Sequence, residues 1–310
     1  MPVHPQVQTM LDAMGQMAAP ATSELSLAEA RSMYLLMCSM EQAEEIERVD
    51  DRLVPGEHGD IPVRVYTPAA AVGANHGVLL WFHGGGWVLG DLESGDSTCR
   101  ALANRAGCVV VSVDYRCAPE EKAPAAIDDS LTALTWTVEN AELLGVDATR
   151  VAVGGESAGG NLAALLCQRV RDEFGPDIDF QLLIYPVTDL TMSHPSVEEN
   201  GEGYFFTKDT LQWFIGQYLD PEDDPKDPAL SPLHAASLAN LPPALVITAE
   251  FDPLRDEGEA YAVRMQEAGV TTQLVRYDGQ IHGFVGMATT LDDGRHALEL
   301  AGAALRAVLT

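Results

Sequence analysis

Apolar positions along the chain change period several times, and each period predicts an element. Val7, Met10, Leu11, Met14 and Met17 recur at helical spacing, which gathers them on one face. The run "SLAE" from Ser26 to Glu29 reads as a capping box opening a second helix through Met33, Tyr34 and Met37. Strand patterns follow at residues 46–54 and 61–66 with no helix between them, so these two are expected to pair antiparallel at a sheet edge. From residue 78 onward strands and helices alternate: strands at 78–82, 108–113, 150–153, 180–185, 244–248 and 273–277, helices at 125–137, 161–170, 257–268 and 297–308. Short apolar strands alternating with helices predict an α/β fold around a mostly parallel sheet buried on both faces. Eight strands are counted in this way.

One segment breaks the alternation. Residues 188–227 are polar and rich in Asp, Glu and Pro, yet "TKDTLQWFIGQYL" sets Leu211, Phe214, Ile215, Tyr218 and Leu219 on one helical face. An insertion between two sheet strands must sit over one end of the sheet. The expected organisation is therefore an N-terminal part of a helical cap at 1–45, core at 46–187, cap insertion at 188–227 and the rest of the core at 228–310. At 310 residues this fits one large domain with an insertion.

The strongest local signal is "VAVGGESAGGNLAAL". Gly155-Glu156-Ser157-Ala158-Gly159 matches G-x-S-x-G after a strand and before a helix, the context that gives the pattern weight. A serine on such a sharp turn has its hydroxyl lifted above the sheet end, and the helix N-terminus behind it favours negative charge. The bland alternative is a glycine-rich strand-to-helix turn. A serine nucleophile needs a base, and the base needs an orienting group. Asp252 follows the strand at 244–248, and His282 lies in "DGQIHGF" after the last strand, both expected at the same rim of the sheet as Ser157. Glu250 and Asp256 flank Asp252 but belong to the strand end and the helix start. His194 and His234 lie in or near the insertion and are expected at the surface; His83 sits in another loop. "HGGGW" from His83 to Trp87 follows a core strand directly. Backbone N–H groups aimed at one point stabilise an oxyanion, and side chains would block the approach. Gly85, Gly86 and Ala158 are the expected donors, with Gly84 as the alternative loop donor.

Charge narrows the partners. With 47 acidic against 18 basic residues the formal net charge is −29, which repels nucleic acid and anionic membranes. The only lysines are Lys122, Lys208 and Lys226, a balance that suggests salt tolerance, which stability measured against salt would test. Apolar residues make up 46%, enough for an ordinary core. Cys38, Cys99, Cys108, Cys117 and Cys167 are odd in number and widely spaced, and read as small hydrophobes in a reducing compartment. The N-terminal stretch lacks the basic start and long apolar run of a signal peptide, and the cytoplasm is the expected location. No Walker loop, zinc-type Cys/His spacing or HExxH is present, so neither cofactor nor metal is expected.

Taken together, "HGGGWVLGD", "VDYRCAPEEKAPAA", "GGESAGGNLAA", "LLIYP", "NGEGYFFT", "DPLRDEG" and "IHGF" resemble the bacterial hormone-sensitive-lipase-like esterases of the α/β-hydrolase superfamily, in that family's order and at similar spacings. The resemblance covers nearly the whole chain. It implies the α/β-hydrolase fold with a helical cap, Ser157 as nucleophile, His282 as base and acid, Asp252 as its orienting group, and an oxyanion hole from the "HGGG" glycines and Ala158. The expected function is a serine carboxylesterase acting on short- to medium-chain acyl esters, with a homodimer as one admissible assembly. Glu156 stands where the family usually has Asp, and Cys117 and Ala123 replace bulkier residues. The competing readings are an amidase, arylformamidase or lactonase on the same fold, and a ligand-binding relative of the kind that has lost its histidine; His282 argues against the last.

Overall fold

A computed structural model of the chain describes residues 2–17, 20–73 and 75–310, with Met17 described by its backbone alone. Among these residues eight strands form one sheet: β1 (Arg48–Val54), β2 (Ile61–Thr67), β3 (His76–Phe82), β4 (Val109–Val113), β5 (Val146–Glu156), β6 (Phe180–Ile184), β7 (Ala244–Phe251) and β8 (Thr272–Ile281). Their spatial order is β1-β2-β4-β3-β5-β6-β7-β8. β1 pairs antiparallel with β2, and β2 antiparallel with β4; the other neighbours run parallel. The expected mostly parallel sheet with an antiparallel edge is the observed one.

The topology fixes where chemistry can sit. From β3 the chain passes through α3 (Asp96–Ala106) to β4 on one side, then returns through α4 (Ala125–Glu139) and the short α5 (Ala141–Leu144) to β5 on the other. Loops leaving the ends of β3 and β5 thus diverge from a shared crevice, the place where open α/β sheets bind ligands. Phe82 at the end of β3 lies opposite Gly155 of β5, which brings the "HGGGW" loop beside the Ser157 turn.

Alternation along each strand builds the two hydrophobic layers. Val78, Leu80, Phe82, Val111, Val153, Leu183 and Val246 face one layer, packed with α4, α6 (Ala158–Glu173) and α9 (Arg255–Glu267). Leu79, Trp81, Val110, Leu182, Ile184, Leu245 and Ile247 face the other, with α3 and α10 (Asp292–Leu309). Trp81 is fully buried there. Burying each such side chain contributes about 1.5–3 kcal/mol.

α1 (Pro5–Met17) docks at the far edge, where the His4 N–H donates to the Gly279 carbonyl at 2.8 Å, and Val7 is buried in the second layer. Ser26 caps α2 (Leu27–Cys38) through the expected box with Glu29. The insertion carries α7 (Pro195–Glu199) and α8 (Lys208–Tyr218). Leu211, Phe214 and Tyr218 of α8 are buried, while Ile215 and Leu219 are partly so. No helix among the described residues is long and apolar enough to cross a membrane.

Candidate active site

Ser157 joins β5 to α6 with φ +56° and ψ −118°, a region that costs a non-glycine residue about 1–3 kcal/mol. Surrounding bonds hold it there: its N–H donates to the Ile184 carbonyl at 2.9 Å, and its carbonyl accepts from Asn161 at 3.1 Å and Val187 at 3.2 Å. Gly159 is required by close approach, because a Cβ there would lie 1.9 Å from the Phe82 carbonyl oxygen. The turn is thus pressed against the end of β3.

Two further strand ends complete the cluster. β7 stops at Phe251, and Asp252 follows with no exposed surface; β8 stops at Ile281, and His282 follows with 7% exposure. His282 Nε2 lies 3.0 Å from Ser157 Oγ, and its Nδ1 lies 2.7 Å from Asp252 Oδ2. Asp252 Oδ1 accepts from the Leu254 N–H at 2.8 Å, and Asn200 Nδ2 donates to the Asp252 carbonyl at 3.1 Å. All three residues chosen from the sequence come together. Glu250 remains within β7, and Asp256 lies in the first turn of α9.

The loop after β3 has an unusual backbone. Gly85, Gly86 and Trp87 have φ of +111°, +61° and +60° in succession. The N–H groups of Val88 and Leu89 fold back onto the Gly85 carbonyl at 3.1 and 2.8 Å. Among the described residues no backbone carbonyl accepts from the N–H of Gly85 or Gly86.

Several contacts around the site were not read from the sequence. The His282 ring lies between Tyr185, at 4.6 Å between centroids, and Phe206, stacked at 4.5 Å. The Tyr185 hydroxyl donates to Glu156 Oε2 at 2.7 Å. The surrounding protein raises the Glu156 carboxyl above its ordinary value by desolvation, partly offset by the Tyr185 and Gly84 hydrogen bonds. Arg31 of α2 donates from Nε to the Val88 carbonyl at 3.0 Å and from Nη2 to the Ala118 carbonyl at 3.1 Å, and pairs with Glu120. Phe206 belongs to "NGEGYFFT", so its motif gave a signal; Arg31 gave none.

The remaining histidines are accounted for differently than expected. His194 and His234 are half-buried rather than free at the surface, because both Nε2 atoms face the buried carboxylate of Asp189, at 3.3 and 2.9 Å. His83 is buried, stacked on Tyr115 at 4.3 Å, and burial lowers its pKa. Among the described residues no group of three or more His, Cys, Asp or Glu side chains is placed to hold a metal ion. The five cysteines are free thiols; Cys99, Cys108 and Cys167 are buried, while Cys38 and Cys117 are only partly so. Burial pushes the Cys38 and Cys108 thiols up to about 12.

A family profile described as the α/β hydrolase fold matches residues 79–286. The chain is 48% identical over 246 residues to the carboxylic ester hydrolase LipN of Mycobacterium tuberculosis, a match covering 77% of this chain and 65% of that protein. It is 44% identical over 267 residues to the carboxylesterase NlhH of the same organism, covering 84% of this chain and 83% of that one. Among solved structures, a hyperthermophilic esterase from the archaeon Pyrobaculum calidifontis superposes with a TM-score of 0.94 at 42% identity, covering 99% of each chain.

Proposed function

The chain belongs to the α/β-hydrolase family as a carboxylic ester hydrolase of the hormone-sensitive-lipase-like kind, and we propose that Ser157, His282 and Asp252 perform its chemistry through an acyl-enzyme. The observation that carries the assignment of roles is the unbroken run of contacts Asp252–His282–Ser157, at 2.7 and 3.0 Å, delivered by three separate strand ends.

In the first half-reaction Ser157 Oγ bonds to the ester carbonyl carbon while its proton passes to His282 Nε2. The carbonyl π electrons move onto oxygen, and the N–H groups of Gly85, Gly86 and Ala158 stabilise that charge. Gly84 is the alternative loop donor. The bond to the alkoxy group then breaks, and His282 returns the proton to the leaving alcohol. In the second half, water gives a proton to His282 as its oxygen bonds to the acyl carbon; the acyl–Oγ bond then breaks, His282 returns the proton to Ser157 Oγ, and the acid leaves. Asp252 Oδ2, 2.7 Å from His282 Nδ1, holds the imidazole with Nδ1–H toward it.

The substrates proposed are short- to medium-chain acyl esters. Supporting this, Ser157 is 8% exposed, and Phe206 of the insertion stacks on His282 and packs against Phe214, so aromatic side chains of the insertion bound the site. α2 and the insertion are read as the cap that shapes this space. The net charge of −29 and the free thiols support a cytoplasmic protein that avoids nucleic acid and anionic lipid. Ser157→Ala tests the chemistry: hydrolysis of a short acyl ester is expected to disappear while the melting temperature stays near wild type, and near-normal turnover in that variant would remove Ser157 from the reaction. A series of esters of graded acyl length, run on the wild type, should show activity falling beyond medium chains.

A further inference from the structure

The "HGGGW" loop keeps three successive residues at positive φ, and one of them is a tryptophan, for which that conformation is costly. Strain of this kind persists only where neighbouring structure over-determines it. Hydrogen bonds fix the loop: the Ala118 N–H donates to the Trp87 carbonyl at 2.8 Å, and Arg31 holds the next carbonyl, that of Val88. α8 packs on the same loop residues through its side chains. The Phe214 ring rests on Gly86 so closely that a Cβ at Gly86 would lie 2.2 Å from the ring. One turn later, Tyr218 stacks on Trp87, with centroids 4.2 Å apart and planes within 6°.

We propose that Phe214 and Tyr218 are positioning residues that clamp the oxyanion loop in its strained form, so that the insertion helix is part of the catalytic apparatus as well as a cover over it. The two side chains sit at i and i+4 on one helical face, the spacing that lets a rigid helix press on two consecutive loop residues. α8 is itself anchored to the core just where Tyr218 emerges: the Ala123 N–H donates to the Tyr218 carbonyl at 3.1 Å, and Lys122 Nζ donates to the Leu219 carbonyl at 2.7 Å. Tyr218 is buried, yet its hydroxyl has no hydrogen-bond partner among the described residues, so the ring face makes the contact. The inference rests on Gly85 and Gly86 serving as oxyanion donors.

The test compares Tyr218→Leu with Tyr218→Phe, using steady-state kinetics and a trifluoromethyl ketone. Such a ketone bonds to Ser157 Oγ and gives up its carbonyl π pair to an oxyanion, the serine proton going to His282, so its affinity reads the oxyanion site. In Tyr218→Leu, kcat is expected to fall about tenfold with KM little changed, a part of the roughly 10²–10³-fold cost of deleting one oxyanion donor outright. Ketone affinity should fall in parallel, and Tyr218→Phe should restore both. If Tyr218→Leu does not fold, Tyr218→Met carries the same comparison at closer volume. The clamp is overturned if the aliphatic variant keeps wild-type kcat while the wild type binds the ketone tightly, if kcat falls without loss of ketone affinity, or if Tyr218→Phe is equally impaired. A wild type that hydrolyses esters but does not bind the ketone would instead remove the oxyanion-hole reading itself, and the clamp with it.

Discussion

At the residue level the site depends on backbone held away from its relaxed form. Ser157 at φ +56° and Tyr185 at φ +33° both occupy positive φ, and both lie against His282. The glycines around Ser157 made the turn readable from sequence, because a residue type with no Cβ is the condition for Gly159 to meet the end of β3. Arg31 was not readable as a site residue, and Tyr185 and Phe206 were marked only by the motifs that contain them. Each acts through a contact made only after distant segments pack, and neither an aromatic in a loop nor an arginine on a helix carries a local mark of its tertiary partner. Asp252 has both oxygens engaged, one by His282 and one by the Leu254 N–H. Asp252→Asn puts an N–H donor where an acceptor is needed, so the imidazole is held in the wrong tautomer. In a serine protease the equivalent change lowers kcat by about 10⁴. A loss of that order with folding retained is expected here, measured as kcat on a short acyl ester; a loss of less than about tenfold would show that the carboxylate does not orient His282.

At the element level, strands and helices with large apolar residues at regular spacing were visible, and those built on small residues were not. α8 announced itself through Leu211, Phe214 and Tyr218. α3 gave no such signal, because its buried face is Thr98, Cys99, Ala101, Leu102, Ala103 and Ala106, which are mostly too small to stand out as a periodic stripe. β5 and β8 run longer than their apolar stretches, because one more pairing beyond a break in register, Val146 with His76 and Ile281 with Phe251, carries each strand past its polar residues. α9 holds the buried carboxyl of Glu257 in its first turn, where Oε1 accepts from the N–H groups of Thr188 and Asp189 at 2.7 and 3.1 Å. Burial raises that carboxyl well above its ordinary 4.5, with Asp189 and Asp252 adding to the shift against those two hydrogen bonds. The folded state therefore keeps the proton after the unfolded chain has lost it, and stability falls as pH rises from about 4.5 to the folded value. Glu257→Gln removes this titration. Its stability relative to wild type should improve between pH 4.5 and pH 8 by denaturant titration, whereas an unchanged difference across that range would contradict a neutral Glu257.

At the scale of the whole molecule, the α/β class, the parallel sheet and its antiparallel edge were legible because strand and helix periods differ so plainly. The strand order was not, since pairing of β2 with β4 rather than β3 is a choice among buried strands of similar composition. That order matters for function, because placing β3 between β4 and β5 opens the crevice where the "HGGGW" loop meets Ser157. The same order carries Asp252 and His282 to the same rim from β7 and β8. The surplus of 29 negative charges lies outside this arrangement and bears on which partners approach, rather than on the fold. The most direct measurement is covalent labelling of the wild type with a nitrophenyl phosphonate ester, whose phosphorus bonds to the nucleophilic oxygen as nitrophenolate departs. The expected result is one phosphonyl group per chain, mapped by peptide mass to Ser157, with activity lost in step with labelling. Label on another residue, or full activity in completely labelled protein, would contradict the account.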